Sequence, residues 1–143
     1  MALVVATSVV AFAFWNTAGA GAGTASTGDT PDNLVINQTS TVDGLIPGGN
    51  PQELSGNFDN PNASGVFVGQ VTATVDSVTG GNPGVPACGP ADFIVGPPDT
   101  VNSEIDPGLG QGAWGPITIQ MVDAAYNQEN CKNATVNISY SSN

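Results

Sequence analysis

Few side chains in this sequence could carry out chemistry. The chain has 143 residues, with no histidine, a single lysine or arginine and two cysteines. Most pairs of a nucleophile and a base cannot be assembled from such a set. The most closely spaced acids are Asp29 with Asp32 and Glu104 with Asp106. Both pairs fall in turn-rich stretches, where acids are ordinarily solvated, so we expect no catalytic residue, no cofactor and no enzymatic activity.

Metal binding has little support in the residue types. Zinc sites need three or four nitrogen or sulfur ligands, which two cysteines without histidine cannot supply. Calcium could bind oxygen ligands in the acidic loops, but no loop has the EF-hand pattern and no ligand can be named. We expect no metal site.

The two cysteines, Cys88 and Cys131, are far apart in the sequence. An even cysteine count in an exported protein favours a disulfide. The alternative is a pair of buried free thiols. We predict a Cys88–Cys131 disulfide.

The charge balance excludes some partners. Twelve acids stand against Lys132 alone, which gives a formal net charge of -11. Nucleic acid is excluded because phosphate binding requires basic side chains, and anionic membrane surfaces are disfavoured for the same reason. Charged residues make up 9% of the chain, against about 25% in ordinary globular domains. A neutral surface rich in hydroxyl and amide groups suits an extracellular or cell-surface protein, covered by attached glycans or by copies of itself.

Possible sugar attachment sites occur in four Asn-x-Ser/Thr sequons. Their asparagines are Asn37, Asn62, Asn133 and Asn137. Threonine and serine offer O-linked sites as an alternative. Asn133 and Asn137 have the same parity along a strand and are predicted to point to the same side as Thr135.

The first 15 residues form an apolar segment, and no charged residue precedes Asp29. One interpretation is a secretion signal cleaved near Ala11-Phe12-Ala13. Another is a pilin-like hydrophobic helix in the core of a filament. No lysine or arginine precedes the apolar run, as a signal would require, so we expect the segment to stay in the mature protein.

The length of the segment favours a strand that reaches into another molecule. As a helix it would span about 22 Å, less than the roughly 30 Å membrane core, so a stable membrane anchor is not expected. As a strand it would reach about 50 Å, longer than a typical strand. A strand of this kind can complete the sheet of a second subunit. The predicted donor residues are Leu3, Val4, Val5, Val9, Val10, Phe12, Phe14 and Trp15.

The rest of the chain alternates β-prone runs with Pro- and Gly-rich turns, which predicts an all-β fold. We expect an antiparallel β-sandwich, jelly-roll-like or immunoglobulin-like, over residues 29–143. Residues 1–28 would be the assembly segment and a small-residue linker. The predicted strands are Leu34–Val42, Leu54–Asn60, Val66–Val75, Asp92–Val95, Ile117–Val122 and Thr135–Tyr140.

Alternating polarity predicts the inward face of three strands. One inward set is Phe67, Val71, Ala73 and Val75. The same pattern occurs in residues 117–121 and 136–140. We expect the opposite faces to be solvated or covered by sugar.

The stretch Phe14-Trp15-Asn16-Thr17-Ala18-Gly19, the small-residue run after it, Leu34–Thr41 and Gly44–Gly49 together resemble a group of actinobacterial exported proteins. More distantly, the layout is similar to camelysin and TasA-type biofilm matrix proteins and to archaeal bundling pili. The resemblance implies a jelly-roll sandwich that polymerises by donor-strand complementation into an extracellular filament. A departure from this pattern is the lack of a basic stretch before the apolar segment. The alternative function is a monomeric cell-surface binding or adhesion module.

Overall fold

The computed structural model describes residues 22–27, 30–84 and 86–143. It is an all-β fold, as predicted, with antiparallel strands and two short 3₁₀ turns, Pro90–Asp92 and Glu129–Cys131. No helix within the described ranges is long and apolar enough to cross a membrane. The strands are β1 Val35–Gln38, β2 Gln52–Asn60, β3 Val66–Gly80, β4 Phe93–Val95, β5 Asp99–Ile105, β6 Gly108–Met121 and β7 Ala134–Ser142.

The strands form two sheets that enclose one core. The four-stranded sheet has the order β1-β2-β6-β4, and the three-stranded sheet has the order β5-β3-β7. Alternating side chains of both sheets meet between them, as in a β-sandwich. The buried apolar cluster consists of Leu54, Phe58, Val68, Val71, Ala73, Ile105, Trp114, Ile117 and Ile119.

The strand order is closer to the immunoglobulin arrangement than to a jelly roll. An immunoglobulin constant-type sandwich has one sheet A-B-E-D and one sheet C-F-G. When β5 is set aside, the other strands follow this order as A-B-E-D (β1-β2-β6-β4) and C-F (β3-β7). No strand of the described residues lies at the position of strand G, next to F. The corresponding edge is the outer edge of β7.

Three predicted strands coincide closely with β2, β4 and β7, whereas β1 is shorter than expected, β3 extends to Gly80 and Ile117–Val122 covers only the end of β6. The chain leaves β2 after Gln38 because the Ser40 hydroxyl accepts a 2.9 Å hydrogen bond from the Ser55 N–H. The backbone N–H groups of Thr39 and Ser40 both donate to the Ser55 carbonyl. These contacts replace the regular ladder, so the predicted strand ends before Val42.

Sequence patterns missed β5 and the first half of β6. The β5 sequence, Asp-Thr-Val-Asn-Ser-Glu-Ile, mixes Thr, Val and Ile with Asp, Asn and Glu, which are uncommon in strands. The start of β6 is rich in glycine, and Gly110 and Gly112 adopt φ angles of 64° and 61°. Register shifts against β2 accompany this stretch. Glycines that indicate turns in a sequence therefore accommodate β-bulges here.

The inward set predicted for β3 was wrong at Phe67. That side chain is 64% exposed, whereas its neighbour Val68 is 1% exposed and Val71 is fully buried. A register irregularity against β5 lies between Val68 and Gln70. Across it, the inward-facing residues change from even-numbered to odd-numbered positions. Simple alternation cannot show such a change. The patterns predicted for residues 117–121 and 136–140 are confirmed.

A close backbone approach fixes β1 against β2 and β6. Gly56 lies opposite Gln38, and a Cβ at Gly56 would collide with the Asn37 carbonyl oxygen. The buried Trp114 indole N–H donates to the carbonyl oxygens of Asn37 and Asn57 at 3.2 Å each. Only glycine permits this contact, which positions the edge strand of the first sheet.

Candidate assembly site

One side of the sandwich is open between the edge strands β1 and β7. These strands belong to different sheets, and among the described residues each pairs with a single neighbour, β1 with β2 and β7 with β3. We call this side the β1–β7 opening. Its walls are formed by Leu34, Ile36 and Gln38 on the β1 side and by Val136, Ile138 and Tyr140 on the β7 side.

The apolar side chains of the β1–β7 opening are only partly buried. Val136, Ile138 and Tyr140 point inward by alternation along β7, and all three pack against the core without being fully covered. Leu34 and Ile36 on the opposite wall have the same intermediate exposure. Within residues 22–27, 30–84 and 86–143, no further strand covers this part of the core.

Two cavities follow one another along β7. The first has a volume of about 560 Å³, the second about 530 Å³, and Ile138 contacts both. The first is lined by residues that include Gln38, Val42, Leu45, Val136 and Ile138. The second is lined by residues that include Leu34, Ile36, Ile138, Tyr140 and Ser142.

A side-chain bridge separates these cavities. The Tyr140 hydroxyl donates a 2.6 Å hydrogen bond to Oε1 of Gln38. The Tyr140 ring packs against Trp114 with its centroid 4.7 Å away and its plane tilted by 48°. Burial raises the pKa of the Tyr140 phenol to about 12. The two sheets are thus linked across the β1–β7 opening by side chains, not by a strand.

The edges of the two sheets differ in how they are protected against pairing with another chain. Natural edge strands are kept apart from other chains by shortness, charges, proline or bulges. β5 carries Asp99 and Glu104 and is irregular at Asn102, whose φ is 44°. β4 has only 3 residues and is followed closely by Pro97 and Pro98. β1 has only 4 residues.

The β7 edge is not protected by shortness, charge or proline. Its 9 residues contain no charge, no proline and no glycine. The backbone pairs with β3 from Ala134 to Ser142, with one register irregularity between Val75 and Ser77 of β3, and the N–H of Gly69 donates to the Asn143 carbonyl just beyond it. The result is a long edge whose outward main-chain groups pair with no other strand of the described residues.

The predicted disulfide is confirmed. Cys88 and Cys131 are joined with an S–S distance of 2.06 Å, and the bond links the segment before β4 to the one before β7. Disulfides persist in oxidising compartments, so this bond fits a protein outside the cytoplasm. Both sulfurs are used by the bond and are unavailable as thiolate ligands for a metal.

Sequence analysis did not single out Asp92, a carboxylate 3% exposed beside the disulfide. It accepts hydrogen bonds from the Tyr126 hydroxyl at 2.7 Å, the Gln128 amide at 2.8 Å and the Gly89 N–H at 2.9 Å. Burial alone would raise the pKa of Asp92, but these bonds outweigh it and hold the pKa below its ordinary value. The bond to Asp92 is also the main cause of a raised pKa for Tyr126. The network ties the segment after β6 to the start of β4.

The four sequon asparagines lie in different settings, and their glycosylation stays a prediction. Asn133 and Asn137 are exposed, as is Thr135 between them. Asn37 is partly buried in β1. The Nδ2 of Asn62 donates to the carbonyl of Asp32 and to Oδ1 of Asn60, both at 2.9 Å. A glycan on Asn62 would displace at least one of these bonds.

The remaining predicted positions are not brought together into a site. Glu104 lies near the end of β5, close to the turn that contains Asp106, and both side chains are exposed. Asp32 is exposed in the segment before β1, and Asp29 lies outside the described residues. The predicted donor residues between Leu3 and Trp15 also lie outside the described residues.

No protein-family model matches the chain, and no curated protein or solved structure is detectably similar to it.

Proposed function

We propose that the protein is the structural subunit of an extracellular filament, such as a pilus or biofilm-matrix fibre. The observation that carries this proposal is the β1–β7 opening, where a row of apolar side chains is left half-covered between two unpaired edges. In strand complementation, an extended segment of one subunit adds its main chain to such an edge in the next, and its side chains fill pockets.

The apolar N-terminal segment supplies a matching donor. The stretch from Leu3 to Trp15 has no charge and is rich in β-branched and aromatic residues. If this stretch were exposed to solvent, its side chains would stay in contact with water at a cost of about 25 cal/mol per Å² of apolar surface. Transfer into the cavities of a neighbouring subunit would cover the apolar surfaces of both partners.

The chain's surface and disulfide support the extracellular setting. Few charges and a single lysine leave almost no site for trypsin-like cleavage. The Cys88–Cys131 bond fits an oxidising compartment. A homopolymer, with sugars attached to its outer faces, accounts for how a domain with so little surface charge is organised.

Deletion of residues 1–15 tests the proposal. We expect the full chain to form filaments visible by electron microscopy and the shortened chain to form none. As a matched control, residues 16–28 are replaced by a Gly/Ser sequence of the same length, which should leave filament formation intact. Filaments of the shortened chain that are indistinguishable from those of the full chain would contradict the proposal.

A further inference from the structure

The β1–β7 opening has two unpaired edges, and the incoming strand could form its main-chain hydrogen bonds with either. We infer that the acceptor is β7 and that its occupant is the segment from Leu3 to Trp15 of a second copy of this chain. This inference rests on the proposed function and specifies which strand of the acceptor subunit pairs with the donor segment.

Length distinguishes the two edges. β7 has 9 residues and β1 has 4, which correspond to about 30 Å and about 13 Å of ladder. Residues 3–15 are long enough to pair with all of β7. Because strand addition gains its affinity from main-chain hydrogen bonds, the longer edge offers about twice as many of them.

The residue types of the edges point the same way. Charged side chains protect β5, shortness and nearby prolines protect β4, and shortness protects β1, whereas Ala134–Ser142 is long and has neither charge nor proline. An unprotected edge of this length in an exported protein requires a partner to cover it. The neutral β7 sequence also matches a donor that carries no charge.

Topology gives an independent argument. With β5 set aside, the sheets follow the immunoglobulin order up to strand F, which is β7. The place where strand G would pair is the outer edge of β7, above the partly buried Val136 and Ile138. A donor strand at this place would complete the sheet and cover both side chains.

The Gln38–Tyr140 bridge crosses the path of such a strand. It spans the opening from β1 to β7 through a single 2.6 Å side-chain hydrogen bond. The donor must therefore displace this bond so that the two cavities on either side become one continuous groove.

Hydrogen exchange of the full chain identifies the acceptor strand. The assembled wild-type chain is compared with the full-length variant Val9→Asp, whose charge opposes burial of the donor segment. Backbone amides in residues 134–142 should exchange more slowly by about tenfold or more in the assembled chain. Amides in residues 99–105, on the β5 edge, should exchange equally in both.

Each other result contradicts the inference in a distinct way. Filaments in which protection appears at β5 or β1, with β7 unchanged, would overturn the choice of β7 and leave the filament proposal standing. Protection of β7 that is equal in Val9→Asp would mean that β7 pairs with something other than the donor segment. If the full chain forms no polymer, both the inference and the proposed function fail.

Two lysine variants test the β1–β7 opening without hydrogen-exchange measurements. Ile138→Lys places a charge in the β1–β7 opening, whereas Phe67→Lys places one on the outer side of the same sheet, where Phe67 is already 64% exposed. We expect loss of polymer for Ile138→Lys and normal polymer for Phe67→Lys. Normal polymers of Ile138→Lys would overturn the inference. A circular dichroism spectrum with retained β signal shows that the variant is folded.

Discussion

The Tyr140 hydroxyl lies 2.6 Å from Oε1 of Gln38 and joins β7 to β1 across the β1–β7 opening. Tyr140→Phe removes this bond and keeps the ring against Trp114. Because the bond is exposed, we expect the free energy of unfolding of the subunit to fall by about 1 kcal/mol or less. Filament formation, followed by light scattering, should become faster because the donor strand no longer has to displace the bridge.

Tyr126→Phe is the matched control for this substitution, since it removes the chain's other tyrosine hydroxyl, which donates to Asp92 away from β1. It should leave the rate of assembly unchanged. Equal rates for wild type and Tyr140→Phe would show that the donor strand does not have to displace the bridge.

Stability should decline at alkaline pH. The Tyr140 pKa is raised to about 12 by burial, against about 10 in an unfolded chain. Between these values the unfolded chain has lost the phenol proton while the folded subunit retains it, so the free energy of unfolding falls as the pH rises. Denaturant unfolding at a series of pH values should show this loss beginning near pH 10, and Tyr140→Phe should reduce it. An unchanged slope in Tyr140→Phe would argue against a buried phenol.

The disulfide should contribute strongly to stability. It closes a loop across a sequence separation of 43 residues, for which chain entropy predicts a stabilisation of about 4 kcal/mol. The double variant Cys88→Ala/Cys131→Ala should therefore unfold at a lower denaturant concentration, as measured by tryptophan fluorescence. A loss below about 1 kcal/mol would mean that the Asp92 network alone holds these segments together.

Glycine at position 56 should be essential for the attachment of β1. Gly56→Ala would place a methyl group against the Asn37 carbonyl and the Trp114 ring, and we expect a loss of about 2 kcal/mol or more. Gly89→Ala is the control because a Cβ there meets nothing within 4 Å. Thermal unfolding of both variants measures the difference. Equal melting temperatures would contradict the close approach of β1 to β2.

The sandwich and the disulfide could be predicted from the sequence. The alternating polarity around Ile117, Ile119 and Ile138 is visible within each strand, and the chain has two cysteines that can pair with each other. The sequence did not reveal β5, in which Asp99, Asn102 and Glu104 interrupt the β-prone residues and the strand is ordered by pairing with β3. The parity change near Phe67 depends on the irregular register of that pairing. Both features come from tertiary contacts.

The β1–β7 opening could not be predicted either. An edge becomes unpaired through the order of strands in a sheet, and that order links residues as distant as Gln38 and Tyr140. The alternating pattern of residues 136–140 shows which side chains face inward but not that the strand ends a sheet. Likewise, the burial of Asp92 depends on partners more than 30 residues further along the chain.

The size of the full chain in solution tests the central claim most directly. Sedimentation of the purified chain, before and after heating in detergent, measures whether subunits are held together by inserted strands. We predict polymers that resist this treatment, and monomers when Val9 is replaced by aspartate. A full chain that sediments as a compact monomer would contradict the account and favour a monomeric surface-binding module instead.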